Sequence, residues 1–352
     1  MKNNVGVILV IGGAGFIGSH TVDLLLQEGY QVRVLDNFST GRRENLPECA
    51  PRLEVVAGSL EDLDRLDLAF TNVSAVLHLA AQVSVQCSVE DPVRSCEQNI
   101  VGFVRVLEAA RKRGARVVYA SSAAVYGDPE TLPLREDGPI RPISPYGLEK
   151  FSNEHYAKLY GRMYGLSQLG LRYFNVYGPR QDPHSPYSGV ISRFIDQLRS
   201  GLPLTVRGDG LQERDFIHVS DVARANVMAL TKAVDGVVNV ASGQQCTIRQ
   251  LAEILLALAG RGDEIQWVPS LPGDIRHSQA DISRMRQTLV DPIISLNEGL
   301  RSVKKENKHS KEAISSSVPC AFPRRAGSSA LFLSSKNSLN PLDRDPNTES
   351  EF

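Results

Sequence analysis

The sequence predicts an α/β protein whose main domain is a doubly wound parallel sheet, and three observations carry that expectation. Short apolar strands alternate with helical patterns through the first half, a glycine-rich turn follows the first strand and opens a helix, and an acid closes the second strand. Strands are expected at 5–11, 31–35, 53–57, 75–79, 116–120 and 168–173, each a short apolar run. Helices are expected at 19–28, closed by Gly29, and at 93–113, closed by Gly114. Such alternation builds parallel sheets by right-handed crossovers, with helices on both faces.

After Asn175 proline and glycine become dense as far as Gly189, and shorter elements follow, with a strand at 237–241 and an amphipathic helix at 247–259. The expected division is a dinucleotide-binding domain over 1–174, to which parts of 213–242 return, and a smaller α/β substrate-binding domain over 175–305. From 306 to 352 the chain is rich in Ser, Asn, Pro and charge without periodicity, which reads as a disordered tail.

Bulk properties exclude more than they specify. A chain of 352 residues with 42% hydrophobic and 22% charged residues is ordinary globular material. A net charge of −1 gives no general attraction to nucleic acid or membrane. The apolar run at 5–11 is too short to span a bilayer, and no cleavage site follows it. Five scattered cysteines without CxxC spacing read as free thiols in a reducing cytoplasm, with no metal site.

Gly12, Gly15 and Gly18 form GxxGxxG directly after the first strand. Glycines at this spacing allow a tight turn, close approach of backbone to a pyrophosphate, and tight packing of helix on strand. Asp36, at the end of the second strand, suits a ribose diol and repels a 2′-phosphate, favouring NAD over NADP, although a loop or cap role for Asp36 stays open. Arg42 and Arg43 follow closely and leave some tolerance for NADP.

Tyr146 and Lys150 stand four apart and share one helix face. A tyrosine beside an ammonium and a cationic nicotinamide is expected to titrate near neutrality, which needs about 4 kcal/mol relative to its ordinary value near ~10. Its phenolate would serve as a general base. Ser122 follows the fifth strand at the carboxyl edge, placed to donate to a developing carbonyl or alkoxide.

The segments GGAGFIGSH, HLAA, SSAAVYG, SPYGLEK, LRYFNVYGPRQ and RDFIHVSDV, in this order, resemble the extended short-chain dehydrogenase/reductase family, and most closely its NAD-dependent UDP-sugar 4-epimerases. The resemblance spans about residues 5 to 305. It implies an NAD-dependent 4-epimerisation of a UDP-hexose through a 4-keto intermediate, by a cytoplasmic homodimer. In it Tyr146 is the base, Lys150 binds nicotinamide ribose and tunes Tyr146, and Ser122 bridges to the 4-hydroxyl. The cofactor would further meet Gly12, Gly15, Phe16, Ile17, Gly18, Asp36, Asn37, Ser39, Gly41, Ser59, Leu60, Leu79, Ala80, Ala81, Asn99 and Phe174. The UDP-sugar would meet Ser84, Asn175, Val190, Thr205, Arg214, Asp274 and Ser278.

Departures from the family pattern sharpen these expectations. Gly58-Ser59 replaces a Gly-Asp that meets adenine in many relatives, Ala124 replaces a frequent Thr, and Leu271 stands where a phosphate-binding Arg is often found. Arg276 either compensates for Leu271 or the diphosphate is held more weakly, and Arg214 has an alternative in a salt bridge to Asp215 or Asp221. Ser278 falls where the family places a residue beside the sugar's 2-position, and its small size leaves room for an acetamido group. Ala123-Ala124 occupies the position of the dehydratases' Asp-Glu pair, so elimination lacks its acid and base. A net dehydrogenase releasing NADH and a non-catalytic NAD-binding regulator are the competing readings.

Overall fold

The computed structural model describes residues 6–183, 189–262, 264–270 and 275–303. Along the chain, β1 (Val7–Ile11), α1 (Phe16–Gln27), β2 (Val32–Asp36), β3 (Leu53–Ala57), α2 (Leu63–Ala69) and β4 (Val73–His78) come first. They are followed by α3 (Val85–Glu90), α4 (Pro92–Cys96), α5 (Gly102–Arg113), β5 (Arg116–Ser122), α6 (Pro145–Tyr164) and β6 (Gln168–Tyr173). The later half holds β7 (Asn175–Tyr177), α7 (Val190–Arg199), β8 (Leu204–Arg207), β9 (Glu213–His218), α8 (Val219–Thr231) and β10 (Gly236–Val240). Last come β11 (Gln245–Thr247), α9 (Ile248–Ala259), β12 (Ile265–Val268) and α10 (Ser283–Thr288).

Seven strands form one parallel sheet in the order β3-β2-β1-β4-β5-β6-β10. Its strands are apolar on both faces because both are covered. One core cluster joins Ile8, Val10, Leu77, Val118 and Leu171 to Val22, Leu25 and Val222, and the other joins Leu9, Ile11, Val76 and Val117 to Phe103, Leu107 and Ala157. The strand order reverses between β1 and β4, and at such a switch point the carboxyl ends of the strands open a crevice.

Several strand ends differ from expectation by one or two residues: β1 starts at Val7, β4 spans Val73–His78, β2 and β10 are each shifted by one residue, and β5 runs on to Ser122. The first helix starts at Phe16, three residues earlier than its pattern implied, and runs straight out of the glycine turn. The helix expected over 93–113 runs without a break from Pro92 to Arg113, as α4, a wider helical turn over Glu97–Val101 and α5. The wider turn follows from Asn99, a buried polar residue whose backbone carbonyl accepts a bond from the Asn153 side chain at 3.0 Å.

A three-stranded sheet, β11-β9-β7, and the parallel pair β12-β8 lie outside the main sheet. They surround a core of Tyr177, Phe194, Leu204, Val206, Phe216 and Leu251. Of residues 213–242, α8 packs beside α1 and β10 joins the main sheet, whereas β9 pairs with β7 and β11. The segment 306–352, expected as a tail, lies outside the described residues. Among the described residues no helix is long and apolar enough to cross a membrane.

Candidate active site

The glycine turn is built from backbone contacts that tolerate no side chain. Gly12 adopts φ +81°, and a Cβ there would stand 2.8 Å from the Ala80 amide nitrogen, so β1's turn packs directly on the turn after β4. A Cβ at Gly18 would collide with the Gly12 carbonyl oxygen. Gly15 is the N-cap of α1, and neither a side-chain cap nor an acid in the first turn competes for that end of the helix. The first amides of α1, at Phe16 and Ile17, are therefore presented to an anion with the positive end of the helix dipole behind them.

Asp36 closes this cradle. It is 6% exposed and accepts the Ala14 amide on Oδ2 at 2.9 Å and the Phe38 amide on Oδ1 at 2.8 Å. Each oxygen keeps a lone pair for a ribose hydroxyl. Gly41 lies over Asp36, where a Cβ would stand 2.9 Å from Oδ1. Asn37 accepts the Ser39 amide and hydroxyl at 3.0 and 2.8 Å, shaping the loop beside the acid. Arg42 is paired with Asp182 at 2.6 Å. Ser59 accepts the Glu61 amide at 3.3 Å, ahead of the Asp62 cap of α2, and Leu60 packs against Gly102. The residues present fit a dinucleotide: a side-chain-free anion cradle, and a fixed carboxylate at the strand end beside it.

Ser122, Tyr146 and Lys150 come together at the carboxyl end of β5. Ser122 ends β5 and accepts the Ala124 amide at 3.2 Å. Ser144 caps α6, accepting the Gly147 amide at 3.1 Å, and Pro145 opens the helix. Gly147 brings α6 onto the turn after Ser122, since a Cβ there would lie 2.6 Å from the Ala124 carbonyl oxygen. That approach places Tyr146 within hydrogen-bonding reach of Ser122. Lys150 is 3% exposed, donates to the Ala120 carbonyl at 3.1 Å and lies 5.7 Å from the Tyr146 ring centre.

The protein's own groups do not lower Tyr146: burial pushes it up to about 12, the Ser122 hydrogen bond opposes the rise, and the Glu149 charge adds to it. Burial pushes Lys150 down to about 8, against the pull of Glu149. Burial, helped by Lys150, pushes His78 down to about 3, so the imidazole closing β4 is neutral. Without further positive charge, Tyr146 is a neutral phenol beside a lysine whose proton affinity burial has lowered.

Sequence reasoning missed the buried group that organises this corner. Glu149 is 3% exposed and accepts from the Ser95 hydroxyl at 2.9 Å and the Asn99 amide at 2.6 Å. Asn99 also clasps the Gln82 backbone, accepting its N–H and donating to its carbonyl, both at 2.8 Å. Asn99, expected to line the cofactor, thus ties α6 to the turn carrying Leu79, Ala80 and Ala81. A glutamate on the face pointing inward from a catalytic helix was the available signal.

The residues expected at the sugar and diphosphate are spread more widely. Ser84 caps α3 by accepting the Cys87 amide at 3.0 Å. Asn175 opens β7 and donates to the Asp215 carbonyl at 3.2 Å, next to buried Phe174. Val190 begins α7, and Thr205 on β8 accepts from Gln197 at 2.8 Å. Arg214 donates to the carbonyls of Glu213 and Ile275 at 2.8 and 2.6 Å. Asp215 accepts the amides of Ser242, Gly243 and Ala280, and Asp221 pairs with Arg224. Arg276 forms an exposed bidentate pair with Asp209 at 2.8 and 2.9 Å. Ser278 is 9% exposed, and its hydroxyl has no hydrogen-bond partner among the described residues. Asp274 and Leu271 lie outside the described residues.

Fold and site together define a class: an NAD-binding α/β enzyme with a serine, a tyrosine and a lysine gathered at the carboxyl edge of its sheet. A model of the NAD dependent epimerase/dehydratase family matches residues 8–241, and the chain belongs to that family. It is 41% identical over 299 residues to a UDP-glucose 4-epimerase of Mycolicibacterium smegmatis, covering 83% of this chain and 95% of the relative. A UDP-N-acetylglucosamine 4-epimerase from Methanobrevibacter ruminantium, solved in complex with UDP-N-acetylmuramic acid, has a TM-score of 0.83 and 38% identity over 87% of this chain and 99% of its own. A Thermus thermophilus UDP-glucose 4-epimerase in complex with NAD has a TM-score of 0.79 and 41% identity over 84% and 97% of the two chains.

Proposed function

We propose that the chain is a UDP-hexose 4-epimerase that uses NAD without net consumption, acting on UDP-N-acetylglucosamine and UDP-N-acetylgalactosamine as well as UDP-glucose and UDP-galactose. The observation that carries the reading is the convergence of Ser122, Tyr146 and Lys150 at the carboxyl edge, with Ala123 and Ala124 in the turn where elimination would need an acid and a base. NAD, when bound, supplies the acceptor and donor of the C4 hydride and, oxidised, a positive ring. Tyr146 takes the 4-hydroxyl proton as the 4-keto sugar forms and returns it after the sugar has turned. Ser122 orients that oxygen by hydrogen bonding, and Lys150 holds positive charge near the phenol.

Arg214 is the proposed grip on the diphosphate, suited by its guanidinium fork, with Asp215 holding the Ser242–Gly243 turn and Ala280 in place beside it. Ser278, small and shielded, supports acceptance of a 2-acetamido group. Exposed Val85, Val89, Leu148, Leu159 and Met163 on α3 and α6 support a homodimer. Incubation with each UDP-sugar pair tests the substrate reading. Wild-type enzyme is expected to interconvert both pairs, and Ser278→Tyr to lose the acetamido pair by roughly 100-fold while keeping the plain sugars within about threefold. Turnover of UDP-glucose and UDP-galactose alone would remove the role given to Ser278.

A further inference from the structure

Two oxygens of one carboxylate lie buried beside the catalytic pair, and only one of them has a partner. Glu149 Oε2 accepts from Ser95 and Asn99, whereas Oε1 is buried without a hydrogen bond. A carboxylate in such a place is costly unless its charge acts on something nearby. Its neighbours on the same helix are Tyr146 and Lys150, and Asn99 continues the chain of bonds to Gln82 in the turn after β4.

We propose that Glu149 is a positioning residue for the proposed proton transfer: through Ser95 and Asn99 it locks α6 against the turn after β4, and it places a negative charge beside Tyr146 and Lys150. The inference rests on the Tyr146/Lys150 reading above. The charge raises the proton affinity of both groups, holding Lys150 cationic against its burial and Tyr146 in the phenol form. Few other groups compete. His78 faces Lys150 from β4 as a neutral ring, and Glu154 of α6 is neutralised by its bidentate pair with Arg172 of β6 at 2.8 and 2.7 Å. Tyr119 of β5 is buried and held neutral. Glu90 of α3, Arg94 of α4 and Glu97 of the wide turn are exposed.

The test replaces the charge while keeping the volume, with Glu149→Gln and, as a second neutral isostere, Glu149→Met. In protein labelled with 13C at lysine Cε, the Lys150 resonance is expected to titrate about one pH unit lower in either variant than in wild type. In turnover assays both limbs of the kcat–pH profile move the same way, towards lower pH. Kcat falls about tenfold while the KM for UDP-sugar changes less than about threefold. A merely structural residue would lower activity at every pH and leave both limbs, and the Lys150 midpoint, where they were. Unmoved midpoints in folded variants overturn the inference, and so does loss of fold in both, which would make Glu149 part of the core. Absence of turnover on every UDP-sugar would sink the proposed function while the Lys150 titration still decides the role of Glu149.

Discussion

The cofactor crevice and the sugar side of the molecule are organised in opposite ways. Around Gly12, Asp36 and Ala80 the site is backbone: a left-handed glycine, an open helix end and a carboxylate pinned by two amides. Around Arg214 and Ser278 the site is made of side chains from separate strands and loops, most of which bond to neighbouring protein groups. A backbone cradle is specific for what all its ligands share, a pyrophosphate and a ribose. A side-chain pocket is free to vary with the sugar. Substitutions are therefore expected to be all-or-none in the first region and selective in the second.

The largest effect is expected where the two regions meet. Tyr146→Phe should lower kcat by at least about 1000-fold while bound NAD, measured after denaturation, stays at the wild-type level. Activity within tenfold of wild type would remove Tyr146 from proton transfer.

Next comes the cradle. Gly18→Ala drives a methyl group into the Gly12 carbonyl and is expected to cost roughly 2–4 kcal/mol of stability together with NAD retention. A variant that keeps both would show that the turn has room the packing does not indicate.

The pH dependence of stability comes third. His78 and His218 are held neutral by burial, down to about 3 and about 4 from 6.5. As pH falls below 6.5 the unfolded chain takes protons that the folded chain refuses, so each histidine removes about 1.4 kcal/mol of stability per pH unit until its folded value is reached. Unfolding free energies from denaturant titrations at pH 6.5 and 5 should differ by about 2 kcal/mol for each of the two, and His78→Phe should remove its share. Lys150 acts in the same direction at higher pH, adding stability between about 8 and its unfolded value of 10.5.

The smallest effect is expected on the sugar side, at a residue already engaged. Arg276→Ala should change the KM for UDP-sugar by less than about threefold, because Arg276 is spent on an exposed pair with Asp209. Arg214→Ala should raise it by roughly 10- to 100-fold. Equal losses would mean that Arg276 has left Asp209 for the diphosphate.

The same contrast governs how much could be read from sequence. The cofactor crevice was legible because its rules are local: glycines at fixed spacing after one strand, and an acid at the end of the next. Tyr146 and Lys150 were legible because four residues on a helix make one face. The Tyr146 environment was not, since its high proton affinity comes from burial and from Glu149, neither visible in YxxxK. The wider turn inside the helix over 93–113 was equally hidden, because Asn99 answers to Asn153 and Gln82, well separated in sequence. On the sugar side the pair between Arg276 and Asp209 was hidden for the same reason, its partners standing sixty-seven positions apart.

The most direct test of the central claim follows the hydrogen at C4. UDP-N-acetylglucosamine carrying deuterium at C4 is incubated in ordinary water with the enzyme as isolated and no added coenzyme, and the products are read by NMR. The expected product is the C4-inverted sugar with its deuterium retained, in amounts far exceeding the enzyme, and with no accumulation of reduced coenzyme. Loss of the C4 deuterium to water, or a product formed only as NADH builds up, would contradict it.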